Sequence, residues 1–433
     1  MDRRLERDGG LRWRALSRLS RLPRLFRLPR LPRLPRLLRL FRPWSISGTS
    51  LAARRSRGAR RLGGSAGACR AFTGAPSTVS FASSEVPMST SAQGPTSDES
   101  LTPVRWGVLG ASNFALTVSL PGMKRGPLTQ LAALASRDIG KARDAARSLG
   151  IPKAYGSYDE LLDDPEIDAV YNPLPNHLHV TWTARAARAG KHVLCEKPIA
   201  LSAKDAEALV DVQRETGKLI AEAFMIRNHP QWQQARDWVR GGQIGDLVSV
   251  QAAFSYFNRD ATNIRNKKEV GGGALYDIGC YAVNTSRFLF GREPVRAIAL
   301  VERDPEFGTD RVTSGLVDYG GAHLTFTCST QAVAYQRVNA LGTRGRLEIE
   351  IPFNAPADRP CKVFLDDGST LNCSSARVTS FPTVDQYHLQ SEAFSRAIRT
   401  GSPVENSIEV AVDNMRVIDA LFRSVESGRW ERL

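Results

Sequence analysis

The six cysteines of this 433-residue sequence form no Cys-x-x-C pair and no Cys/His cluster at ligand spacing, so a structural zinc site is not expected and a reducing compartment is. No run approaches the ~18 apolar residues that a membrane helix needs, and no membrane span is read. Lysine is missing from residues 1–100, which carry 20 Arg against 6 acidic residues; the rest of the chain carries 39 basic and 38 acidic groups. The net charge of +15 therefore belongs to the leader, and no nucleic-acid partner is inferred from it.

That leader reads RLPRLFRLPRLPRLPRLLRLFR over 21–42, with proline too frequent for a helix interior. The pairs Arg54-Arg55 and Arg60-Arg61 lack the apolar stretch that follows a twin-arginine export signal. Residues 1–102 fit a disordered extension, an organellar targeting segment or a basic arm for an anionic surface, and Met88 would open a shorter protein. A cytoplasmic location is expected, with organellar targeting as the alternative.

From Val104 the pattern changes. VRWGVLG reads as a strand ending in Gly110, and ASNFALTVSLPGMKRG as a helix capped by Ser112 or Asn113. Strand, glycine turn and helix N-terminus is the geometry that holds a pyrophosphate, which makes Gly110, Ser112, Asn113 and Phe114 candidate cofactor contacts. The strand LTQLAALASR ends where a dinucleotide fold places its ribose-reading residue. Ser136 and Arg137 stand there, with Lys141 and Arg143 following and no acid before Asp138. Hydroxyl and cationic groups suit a 2′-phosphate, so NADP is expected over NAD.

Helix and strand patterns then alternate to about 226, which means βαβ units and ligands at the carboxyl ends of a parallel sheet. Asn172-Pro173-Leu174-Pro175-Asn176 and Glu196-Lys197-Pro198 both fall at such ends. After Pro230 come successive strand runs without helices between them, the mark of a large, mostly antiparallel sheet. GGGALYDIGCYAVNTSRFLFG interrupts them as a glycine-led helix, with Asp277 and Tyr281 four residues apart on one face. Lys197, Asp277 and Tyr281 are candidates for moving a proton while a hydride moves, with Lys197 lowering the Tyr281 pKa. His179 and His229 stand apart from acids and cysteines at ligand spacing, and read as helix-cap or cofactor-pocket residues rather than metal ligands.

Five ordered motifs carry a family resemblance: Gly107 to Ala115, Pro175-Asn176-x-x-His179, Glu196-Lys197-Pro198, AFMIRNHP (Ala223 to Pro230) and GGGALYDIGCY (Gly271 to Tyr281). Together they resemble the glucose–fructose oxidoreductase / inositol dehydrogenase / rhizopine catabolism (Gfo/Idh/MocA) family. The likeness is greatest to the branch with NADP-dependent xylose dehydrogenase and dimeric dihydrodiol dehydrogenase. The resemblance implies an α/β protein: a Rossmann NADP-binding domain over 103–228 and, over 229–433, an α+β substrate-binding domain with an open sheet, whose last helices pack back on the first. It also implies a homodimer or dimer of dimers.

By position, the resemblance makes Lys197 the catalytic lysine, Asp277 the substrate-binding aspartate and Tyr281 the acid/base. Glu196 and the Asn172 to Asn176 strand end become contacts near the nicotinamide ribose, His179 a member of the cofactor pocket, and Arg227 a crevice residue. Ser112 departs from the usual glycine. The expected reaction is hydride transfer at a sugar, C1 of an aldopyranose such as xylose or glucose. A trans-dihydrodiol dehydrogenase, a sugar–sugar oxidoreductase that keeps its NADP, and an NADP-sensing regulator are the alternatives.

Overall fold

The computed structural model describes residues 101–433, and the expectations for residues 1–100 lie outside the described residues. Six parallel strands form the first sheet: β1 (Val104–Leu109), β2 (Thr129–Ala135), β3 (Lys153–Tyr155), β4 (Ala169–Asn172), β5 (His192–Glu196) and β6 (Ile220–Ala223), in the order β3-β2-β1-β4-β5-β6. The connection direction reverses between β1 and β4, which opens a crevice at their carboxyl ends. Helices cover both faces, so β1 is apolar throughout, with Val104, Trp106, Val108 and Leu109 fully buried. Each such large side chain contributes roughly 1.5–3 kcal/mol.

Connecting helices are α1 (Leu120–Met123), α2 (Ile139–Leu149), α3 (Tyr158–Leu162), α4 (His179–Arg188) and α5 (Ala203–Thr216). Asp138, Ser157 and Ser202 cap α2, α3 and α5 by accepting a backbone N–H of the first turn. Such a cap is worth about 0.5–2 kcal/mol. The helix expected after Gly110 is shorter than the reading: a wide π turn over Ala115–Ser119 runs into the four-residue α1. Pro121 has no N–H to return to the preceding turn, which accounts for the widening. Neither β3 nor α3 was anticipated, because three and five residues are too few to show a period.

The second sheet has nine strands: β7 (Leu247–Phe257), β8 (Arg296–Arg303), β9 (Asp310–Asp318), β10 (His323–Ser329), β11 (Gln331–Gly342), β12 (Arg346–Ile349), β13 (Cys361–Asp366), β14 (Arg377–Phe381) and β15 (Glu431–Arg432). Their order is β14-β13-β12-β11-β7-β10-β9-β8-β15. Only β10 and β7 pair in parallel; the other pairs are antiparallel. The chain folds back between β11 and β12, where Gly342 N–H donates to Gly345 O at 2.8 Å. Alternation sends Val250, Ala252 and Phe254 of β7, with Leu324 and Phe326 of β10, into the core.

Helices α6 (Pro230–Arg240), α7 (Cys280–Phe290), α8 (Gln386–Thr400) and α9 (Ile408–Ser427) complete the described chain. α8 returns to the first sheet, where Trp106 Nε1 donates to Ser395 Oγ at 3.1 Å and Phe394 packs on the indole. α9 serves both sheets: Asp419 accepts from the first turn of α5 at Ala203 N, and Ser424 Oγ accepts from Ala299 N of β8. The first sheet ends with β6 at Ala223 and the second begins with β7 at Leu247; α8 packs on the first sheet and α9 touches both.

Candidate active site

β5 stops at Glu196 because Pro198 has no N–H to extend the ladder, and the Lys197-Pro198 bond is cis. Lys197 therefore emerges at the carboxyl edge of the parallel sheet. The glycine-led segment reaches the same point from the second sheet. It begins as a π turn, Leu275–Gly279, before α7 proper. A wide turn of this kind redistributes the backbone hydrogen bonds, and Asp277 lies in it.

Lys197 Nζ donates to the backbone carbonyl of Asp277 and to its Oδ1 at 3.2 Å. The other carboxylate oxygen, Oδ2, accepts from Tyr256 Oη at 2.5 Å and from Arg265 Nε at 3.0 Å. Burial alone would raise the Asp277 pKa, but Arg265 and Lys197 together hold it far below the usual range. Burial would likewise discharge Lys197, and Asp277 outweighs it, so the ammonium persists. The lysine also lies over the Tyr281 ring, 5.1 Å from its centroid.

Tyr281 does not fit the expected lowering of its pKa. Its phenol is buried among Phe224, Phe254 and Phe353, and among the described residues its hydroxyl meets only the thioether of Met225, at 3.6 Å. Burial raises its pKa well above the ordinary value. The lysine faces the ring and not the oxygen, so its charge does not reverse this.

Gly110 turns the chain with φ +93, and a Cβ there would lie 3.0 Å from Leu174. Ser112 Oγ accepts from Ala115 N, and the N–H groups of Asn113 and Phe114 begin the first turn, where no earlier turn can bond them. At the end of β2 the buried Ser136 is neutral, Arg137 lies against the Tyr158 hydroxyl, and the Lys141 side chain is exposed. Asp138, the nearest acid, spends its Oδ1 on Lys141 N at 3.0 Å.

Three of the expected contacts have their side-chain polar atoms engaged within the protein. Asn172 is fully buried and spends its polar atoms on His179 O, Thr183 Oγ1 and Leu174 N, so its side chain braces the strand end and does not face the crevice. Pro173 and Leu174 are buried beside it. His179 is also enclosed, with Nδ1 2.7 Å from Pro198 O and Nε2 2.6 Å from Leu174 O, so it joins the loop after β4 to the loop after β5. Arg227 points away from Lys197: it bonds Asn284 Oδ1, Asn284 O and Glu405 O and covers Phe288. Burial and the neighbouring Arg287 lower its pKa to about 10.

Asn176 Nδ2 reaches Gly271 O at 2.9 Å and links the two halves of the site. Glu196 Oε1 accepts from Tyr171 Oη at 2.5 Å. His229 caps α6 through Gln231 N. Among the described residues no group of three or more His, Cys, Asp or Glu could hold a metal.

Four residues of the site were not anticipated: Tyr256, Arg265, Tyr387 and Glu222. Tyr256 is the penultimate residue of β7 and Arg265 sits on a short turn, with no spacing that ties either to Asp277. Tyr387, at the start of α8, brings its ring to 5.8 Å from Phe114. Glu222 lies behind the lysine loop, where its Oε1 accepts from Ile199 N at 2.8 Å and burial raises its pKa to about 8. Only the fold joins such distant positions.

The chain resembles known proteins. Residues 104–224 match the oxidoreductase family with an NAD-binding Rossmann fold, and residues 232–348 match the GFO/IDH/MocA C-terminal domain. An uncharacterised oxidoreductase of Rhizobium meliloti is 45% identical over 76% of this chain and 98% of its own. The D-xylose 1-dehydrogenase (NADP(+)) 2 of Haloferax volcanii is 37% identical over 75% of this chain and 98% of its own. A 3-ketoreductase from Actinomadura kijaniata, solved with NADP and TDP-benzene, superposes with a TM-score of 0.69 at 31% identity, over 74% of this chain and 98% of the other. It was also solved with a lysine and, separately, a tyrosine replaced. Those two positions are as far apart along its chain as Lys197 and Tyr281 are here. With both sheets and both family matches in place, this chain belongs to the Gfo/Idh/MocA family of oxidoreductases.

Proposed function

We propose that the protein is an NADP-dependent oxidoreductase that interconverts a hydroxyl and a carbonyl on a sugar, first of all at C1 of an aldopyranose such as xylose or glucose. The observation that carries this reading is the Lys197 ammonium, held by Asp277 over the Tyr281 ring at the carboxyl edge of the parallel sheet. The residues present suit the cofactor: Gly110 lets the backbone approach a pyrophosphate, and the end of β2 offers hydroxyl and guanidinium groups and no free carboxylate. Bound NADP supplies the hydride acceptor or donor.

The chain's own residues manage the proton. Lys197 donates to the reacting oxygen and Asp277 orients it. The Tyr281 hydroxyl, in contact with the Met225 thioether, gives its proton to a carbonyl oxygen or takes one from a hydroxyl. A neutral, buried phenol serves better as the acid of carbonyl reduction than as the base of alcohol oxidation.

An apolar face of the nine-stranded sheet supports the expected homodimer, since Phe257 (68% exposed), Leu300 (73%) and Val333 (81%) stand exposed on its strands among the described residues. Sedimentation equilibrium would then return twice the chain mass.

The functional test is a 340 nm assay with NADP and NADPH over aldoses, keto sugars and trans-dihydrodiols. Turnover of an aldopyranose with NADP, lost in Lys197→Met, supports the reading. Turnover of diols alone would move it to the dihydrodiol reaction, and tight NADP binding with no turnover would overturn it in favour of a regulator.

A further inference from the structure

Arg265 sits on a 3-10 turn, Ile264–Asn266, in the connection between β7 and the glycine-led segment. Its Nε is committed to Asp277 Oδ2. Its two terminal nitrogens have no hydrogen-bond partner among the described residues, and the side chain is 37% exposed. The guanidinium is close enough to act on Glu196, Lys197, Tyr256 and Tyr281. It shares the Asp277 carboxylate with Lys197, which places it beside the proton-transfer groups.

The backbone beneath it is held firmly. Asn263 Oδ1 accepts Arg265 N at 3.0 Å, Gly273 N donates to Arg265 O at 2.9 Å, and Asn266 Nδ2 is tied to Asn258 and Asp260. A Cβ on Gly272 would lie 2.6 Å from Arg265 O and 2.7 Å from Lys267 O, so the triple glycine is what lets the two segments approach. A single bond to Asp277 does not need a planar fork with two open amino groups. Lys197 and Tyr256 already hold that carboxylate.

We infer that Arg265 is a specificity-determining residue, whose open amino groups donate to an oxygen on the substrate carbon next to the reacting one, beside Asp277. The inference rests on the oxidoreductase reading above. Asp277 accepts from that neighbouring hydroxyl and Arg265 donates to its oxygen, while Lys197 and Tyr281 serve the reacting oxygen. A substrate lacking the neighbouring oxygen leaves the guanidinium facing C–H groups. A missing hydrogen bond to a charged group in a closed site costs roughly 10- to 100-fold in kcat/KM.

The test compares glucose with 2-deoxyglucose, and a trans-diol with its monohydroxy counterpart, in the wild type, Arg265→Met and Arg265→Lys. Circular dichroism checks that each variant is folded. In the wild type the 2-hydroxy substrate is expected to lead by roughly 10- to 100-fold. Arg265→Met should lower turnover of the 2-hydroxy substrate by a much larger factor than that of the 2-deoxy compound, so that the ratio collapses toward one. Arg265→Lys, which keeps the charge and loses the fork, should restore only part of the ratio.

If both substrates fall together, Arg265 only positions Asp277 and the inference is overturned. An unchanged ratio overturns it equally. Where the wild type turns over no sugar or diol, the function reading fails, and calorimetry with NADPH present decides the inference: equal binding of glucose and 2-deoxyglucose, or binding of neither, rejects it.

Discussion

Lys197 donates to both the backbone carbonyl and the carboxylate of Asp277, a residue 80 positions further along the chain. Lys197 follows β5 and Asp277 lies in the glycine-led turn, so the contact exists only when the parallel sheet and that segment are docked. Each ion shields the other from burial: without Asp277 the lysine would tend to lose its proton, and without Lys197 and Arg265 the carboxylate would tend to gain one.

Removing the ammonium should be costly to turnover and mild for the fold. Lys197→Met keeps most of the packing, and Arg265 and Tyr256 still hold Asp277. Expected is a fall of about 10²–10⁴ in kcat, typical of a lost proton-transfer group, with NADP affinity kept. Steady-state kinetics beside a fluorescence titration of NADPH would separate the two. An equal loss of cofactor binding would place Lys197 in cofactor binding instead.

Tyr281 should give the two reaction directions different pH profiles. Burial raises its pKa well above the ordinary value, so the phenol is protonated throughout the neutral range and carbonyl reduction should be flat from about pH 6 to 9. Alcohol oxidation needs that oxygen to accept a proton and should climb with pH. Tyr281→Phe should slow both directions about 100-fold and abolish the slope. An oxidation profile that keeps its slope in the variant would assign the proton to another group.

Cofactor choice should turn on the end of β2. Ser136→Asp sets a carboxylate where a 2′-phosphate would lie, and should shift the ratio of kcat/KM toward NAD by at least about tenfold. Paired assays with NADP and NAD measure the shift. No change would move the 2′-phosphate away from this strand end.

Glu222 should make stability fall as pH rises. Its folded pKa is raised to about 8 from an ordinary 4.5, so the folded protein keeps a proton that the unfolded chain releases above about pH 4.5. Stability is fullest below that pH, declines through the neutral range and levels off above about 8. Glu222→Gln should remove that part of the slope. Thermal denaturation of both proteins at pH 5.5 and 8 would show it as a smaller drop in Tm for the variant.

Much of the fold was legible because its signals are local. Alternating apolar strands and capped helices between Val104 and Ala223 spell a parallel sheet, and the unbroken strand runs after Leu247 spell an antiparallel one. What escaped was short or depended on neighbours: β3, β14 and β15 are too brief or too polar to show a pattern, and the π turn before α1 follows from one proline. In the site, Lys197 and Asp277 could be named from their motifs, since a strand end and a glycine-led turn each mark a position where chemistry collects.

The surroundings of those residues could not be read the same way. Tyr256, Arg265 and Tyr387 reach the site from a strand end, a short turn and the penultimate helix, and no periodicity relates them. Side-chain direction decided the rest. Arg227 turned away to Asn284, Asn172 turned inward, and Tyr281 offered its ring to the lysine and its hydroxyl to Met225. The linear sequence determined which elements form and which reactive groups sit at their ends, because strand and helix propensities act over a few residues. Which groups meet, and in which protonation state, was decided by tertiary packing, because burial and charge act through space.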